Sequence, residues 1–140
     1  MNMLFLFILG VIYGNPEPVE TTDLKIIITN IQTLKGNIEI GIFNNPKTFL
    51  QKGKEYKTYS KKVTNDTLIF ILNGVPKDKY AISVYHDKNS DNECNLNFFG
   101  IPVEPYGFSK NYKPKIRKPR FEDCKIDVQK EMSITIQLID

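Results

Sequence analysis

The stretch Tyr80-Ala81-Ile82-Ser83-Val84-Tyr85, followed by His86 and Asp87, decides the fold. Tyr80, Ile82 and Val84 fall on one side and Ala81, Ser83 and Tyr85 on the other, the two-residue period of an extended strand. The chain then enters a loop dense in Asp, Asn and Glu, and after it an aromatic segment broken by Gly and Pro.

The same period recurs on either side. Leu24, Ile26 and Ile28 share a face of a strand over 24–32, and Ile38, Ile40 and Ile42 share a face over 37–43. With a turn at Gly36 between them, these two read as an antiparallel hairpin. Pro46 suits the start of one helical turn over 47–51. Residues 55–63 are Lys-rich, with Tyr56 and Tyr59, and read as an edge strand whose lysines discourage pairing with another chain. Asp66 to Leu72 is the most apolar run and reads as a central strand covered on both faces. Ile126 and Val128, then Ile134, Ile136 and Leu138, alternate inward near the end. Short strands with turn signals roughly every 8–12 residues predict an all-β fold, a sandwich of about seven antiparallel strands. One long loop is expected between the sixth and seventh strands.

The chain has 140 residues, 41% hydrophobic and 25% charged, with a net charge of +3. That suits one domain, over 24–140, able to bury roughly two-thirds of its unfolded surface. The mild charge argues against a nucleic-acid partner. Met3 to Tyr13 is almost wholly apolar but shorter than the ~20 residues a membrane helix needs. It reads as the core of a signal peptide over 1–14, followed by a flexible mature N-terminus over 15–23; a buried first strand is the other reading. Export places the chain in the periplasm or outside the cell, with no membrane span in its mature form. There Cys94 and Cys124 either pair or stand as two thiols; a bridge would contribute roughly 3 kcal/mol.

Asp87, Asn89, Asp91, Glu93 and Asn95 stand at every second position. Such oxygens around one loop are what calcium requires, six to eight hard donors, with Asp87, Asn89, Asp91 and Glu93 as the candidate ligands. Asn92 stands where a calcium loop has Gly, and Phe98 where it has its bidentate carboxylate, so Glu104 or Asp123 would have to complete the set. The other reading is a loop whose Asp and Asn side chains bond their own backbone.

His86 is the single histidine, which excludes a multi-His metal site. A hydrolase or lyase using His86 with Asp87 or Glu104 is the enzymatic alternative; it requires a pocket holding both. Phe98, Phe99, Tyr106, Phe108 and Tyr112 either pin the loop to the sandwich or form a platform for a ligand. Six cations between Lys110 and Arg120, with Lys113, Lys115 and Arg117 at their centre, are either a solvated loop or a surface for an anionic partner.

The segments Tyr80-Ala81, His86-Asp87-Lys88-Asn89, Gly100-Ile101-Pro102-Val103-Glu104-Pro105-Tyr106-Gly107-Phe108-Ser109 and Pro119-Arg120-Phe121-Glu122-Asp123 resemble a family of secreted bacterial domains known as domain of unknown function 2141. The resemblance covers about Leu24 to Leu138. It implies export and a transthyretin-like or immunoglobulin-like sandwich, and no established activity. The expectation is therefore an exported, non-enzymatic β-sandwich serving as a binding or accessory module of the cell envelope. Its contact surface would combine His86, Phe98, Phe99, Glu104, Tyr106, Phe108, Tyr112 and the three central cations, and its partner would be an anionic envelope component or another secreted protein.

Overall fold

A computed structural model describes residues 14–140; the apolar run read as a signal peptide lies outside the described residues. Eight strands form two packed sheets. They are β1 (Thr21–Thr29), β2 (Asn37–Phe43), β3 (Lys57–Lys62), β4 (Leu68–Pro76), β5 (Asp78–Asp87), β6 (Tyr106–Phe108), β7 (Ile126–Val128) and β8 (Met132–Gln137), with one short helix, α1 (Phe121–Cys124). The first sheet has the order β4-β1-β8, with β1 and β8 parallel. The second has the order β3-β2-β5-β6, and β7 pairs with the start of β5.

The core between the sheets is the alternation carried through. Leu24, Ile26, Ile28, Leu68, Phe70, Leu72 and Ile136 from one sheet meet Ile38, Ile40, Ile42, Tyr80, Ile82 and Val84 from the other. β5 is buried on both faces, because a second cluster of Phe43, Ala81, Phe108, Phe121 and Cys124 lies on its far side, with Phe49 and Tyr112 packed against it. Phe49 sits edge-on to both Phe43 and Phe121, at 5.3 and 6.0 Å between centroids.

Four expectations need correction. β1 and β2 do not form a hairpin: they lie in different sheets, β1 between β4 and β8 and β2 between β3 and β5. The β1–β2 connection crosses the sandwich, and Gly36 (φ 70) passes so close to β5 that a Cβ there would meet the Asp87 carbonyl oxygen at 2.0 Å. β4 is an edge strand, not a central one, and leaves Ile69 and Ile71 exposed on its outer side. Residues 46–50 make turns that end at a left-handed Leu50 (φ 63), not a helical turn. The long connection follows the fifth strand, and its last part is itself the short strand β6.

β3 is the lysine-bearing edge anticipated from sequence, and its Lys61 reaches across to the other sheet. The ammonium donates to the Ile69 carbonyl at 2.6 Å and lies 5.3 Å from the Phe70 ring centroid. On the opposite side, Tyr106 and Ile139 exchange backbone hydrogen bonds of 2.9 and 2.8 Å, tying the segment after β8 to β6. Gly107 permits this approach, since a Cβ there would lie 2.8 Å from Ile136 Cγ2.

Candidate functional site: an apolar finger on a carboxylate-built base

The long connection leaves β5 at Asp87 and returns at Tyr106. Its first turn is organised by Asp87, which is fully buried. One carboxylate oxygen accepts the Asp91 amide at 3.2 Å and the other the Asn92 amide at 2.9 Å. Ser90 and Asn92 take left-handed conformations (φ 59 and 60), which aims these amides inward. Asp91 repeats the device one step out. It accepts the Glu93 amide and the side-chain amides of Asn89 and Asn95, each at 2.9 Å. Those bonds, the one from Asn95 foremost, hold its carboxyl below the usual range.

This arrangement supports the second of the two readings of the polar loop, side chains bonded to their own backbone. The oxygens of Asp87 and Asp91 are engaged by loop amides, and Glu93 turns outward to Lys52 at 3.2 Å. No group of three or more His, Cys, Asp or Glu side chains that could hold a metal ion occurs among the described residues. The loop is built from side-chain-to-backbone hydrogen bonds, and nothing in this arrangement supports the calcium reading of Asp87, Asn89, Asp91 and Glu93. Cys94 and Cys124 are both free: Cys94 is exposed on this loop, whereas Cys124 is buried at the end of α1.

The return of the connection is clamped in three places. Glu104, 6% exposed, accepts the Lys88 amide at 3.0 Å with one oxygen, while its second finds no partner. The Pro105 carbonyl accepts the His86 amide at 2.8 Å. Ser109 then fills the gap between β6 and β7 on the same edge of β5. Its hydroxyl accepts the Ile82 amide at 2.9 Å and donates to the Cys124 carbonyl at 2.5 Å. Beneath the base, Tyr85 has its phenol pushed up by burial first and then by the carboxylates of Glu39, Asp87 and Glu104 and by Cys94.

His86 takes no part in a cleft. It is fully buried on the core face, paired across the ladder with Ile38. Nε2 donates to the Lys35 carbonyl at 2.7 Å, and Nδ1 has no partner. Without access to solvent or a side-chain carboxylate bonded to it, His86 is a core residue, and the hydrolase or lyase reading loses its base.

Between base and return stands a small hairpin, residues 95–103. Leu96 and Pro102 bridge its arms, the Val103 amide donates to the Asn95 carbonyl and the Asn97 amide to the Ile101 carbonyl, both at 2.8 Å. The apex is a three-residue turn, Phe98-Phe99-Gly100, with Gly100 left-handed (φ 74) where a hairpin of this length calls for it. Asn97 Oδ1 accepts the amides of Phe99 and Ile101 at 2.9 and 3.0 Å, and the Gly100 amide bonds the Asn97 carbonyl at 2.9 Å. On this frame the large side chains face water: Phe98 is 98% and Phe99 82% exposed, and Leu96, Ile101 and Val103 are more than half exposed.

The aromatics named from sequence therefore divide. Tyr106, Phe108 and Tyr112 pack on the second cluster and pin the connection. Phe98 and Phe99 touch each other edge-on, 5.5 Å apart, and present themselves outward. Leu96, Ile101 and Val103 were missed as site residues; the signal available was the turn-forming Asn97 and Gly100 flanked by apolar residues on both sides. Lys113 and Lys115 are exposed, while Arg117 is tied to Asp123 at 2.7 Å, on the connection between β6 and β7.

No curated protein and no solved structure matches the chain. A family model described as an uncharacterised protein conserved in bacteria matches residues 26–136, from the first core strand to the last. The clamp that returns the connection to β5, from Glu104 to Ser109, lies inside that match, and the chain belongs to this family of bacterial domains of unknown function, DUF2141.

Proposed function

We propose that the protein is an exported, non-enzymatic β-sandwich that serves as a binding or accessory module of the cell envelope, with the finger 95–103 as its contact element. The observation that carries this is the pair Phe98 and Phe99, held at the apex of an internally bonded turn with their rings almost wholly in water. Keeping two phenylalanine rings in water forgoes roughly 1.5–3 kcal/mol each relative to burial, and exposed apolar patches of this kind mark interaction sites. The apolar run Met3 to Tyr13 supports export.

Fractionation of a bacterial host expressing the full chain tests the reading. The wild-type protein is expected in the envelope fraction, and the double variant F98S/F99S in the soluble exported fraction. Retention of the wild type in the cytoplasm, or identical fractionation of both proteins, would contradict it.

A further inference from the structure

We infer that the occupant of the finger is a lipid bilayer surface with zwitterionic headgroups; this deepens the proposed function and rests on its choice of the finger as the contact element. Three features of residues 95–103, and the charges around their base, argue for lipid. The finger is convex, and its apolar side chains surround it: Phe98 and Phe99 at the apex, with Leu96, Ile101 and Val103 on the arms. A fluid layer accommodates such a shape without a preformed pocket, whereas a protein would need a matching deep cavity.

None of the nine residues 95–103 carries a charge. Placing a charged side chain in hydrocarbon is costly, and that cost is absent here. Three of the apex amides are paired locally: those of Phe99, Gly100 and Ile101 all bond Asn97. Each amide paired in this way avoids the cost of desolvating a free donor when the apex leaves water, and Asn97 supplies that pairing.

The charges around the base complete the argument. Lys52 and Glu93 form an exposed ion pair at 3.2 Å, and Lys88 and Asp91 add one charge of each sign. The charges of this collar balance in sign, with the Asp87 and Glu104 carboxyls buried behind them, which complements headgroups that carry both charges and gives no net attraction to an anionic surface. The six cations between Lys110 and Arg120 belong to the connection between β6 and β7 and not to the finger, and Arg117 among them is paired with Asp123.

The test is sedimentation of the purified protein with vesicles of phosphatidylcholine and phosphatidylethanolamine, using wild type, F98S/F99S and, as a control, I116S, which removes a 99% exposed apolar side chain that is not part of the finger. Thermal melts establish that all three are folded. Wild type and I116S are expected to bind alike, F98S/F99S to lose at least about tenfold in partitioning, and raised salt to change wild-type binding less than about twofold. Absence of wild-type binding, full binding by F98S/F99S, or a requirement for anionic lipid would each overturn the inference. If vesicles are not bound while F98S/F99S still leaves the envelope fraction in cells, the finger remains the contact element and its occupant is a protein. If vesicles are bound but fractionation is unchanged, the envelope role fails and the lipid affinity stands.

Discussion

The Ser109 hydroxyl stands where a backbone partner of Ile82 would be, accepting its amide at 2.9 Å and passing its own proton to the Cys124 carbonyl at 2.5 Å. One side chain thus splices β6 to β7 along a single edge of β5, and all three groups are buried. Ser109→Ala leaves a donor and an acceptor unpaired, at about 1–3 kcal/mol each. Urea unfolding is expected to show a loss of about 2–5 kcal/mol; a loss under about 0.5 kcal/mol would mean that the splice is not needed.

Asp87 makes a comparable claim on the loop. Asp87→Ala removes a carboxylate that accepts two amides, bonds to a charged group being worth about 1.5–3 kcal/mol each. The amides of Asp91 and Asn92 are expected to lose hydrogen-exchange protection, and chelators to leave the wild-type loop unchanged. A calcium-dependent rise in melting temperature would reinstate the metal reading.

At α1, Arg117 and then the Arg120 amide lower the Asp123 carboxyl from 3.8 to about 2. A carboxyl held lower in the folded state contributes stability that is complete above its unfolded value and is lost as pH falls from about 4 through about 2. The melting temperature of the wild type is therefore expected to fall more steeply over that window than that of Asp123→Asn. Parallel curves would show that the pair does not act in acid.

The two thiols are expected to differ. Cys94 is exposed, whereas burial pushes the Cys124 thiol up to about 12. Iodoacetamide at neutral pH should alkylate Cys94 in the folded protein and both residues only after denaturation; modification of Cys124 at a matching rate would contradict the packing around α1.

How much of this was legible depended on range. The period-two pattern marked Leu24, Ile26 and Ile28 and Ile38, Ile40 and Ile42 as core, because inward alternation is local information. It could not say that β1 pairs with β8 in parallel instead of with β2, since partner choice is settled by contacts across the sandwich. Ile69 and Ile71 misled for the same reason: an apolar run looks central whether or not anything covers it. In the polar loop, Asp87 and Asp91 served calcium and backbone equally well until the inward amides of Asp91 and Asn92 were seen. Ser109 carried no signal of its splice, which depends on Ser109 and Cys124, 15 residues apart in sequence, meeting at one edge of β5.

The proposed contact requires an apex that stands in water and is taken up by its partner. The sequence has no tryptophan, so Phe98→Trp places a single reporter there. Acrylamide quenching of that indole is predicted to match free tryptophan in the isolated protein and to fall several-fold when zwitterionic vesicles are added. An indole already shielded in the isolated protein, or one whose quenching the vesicles leave unchanged, would contradict it.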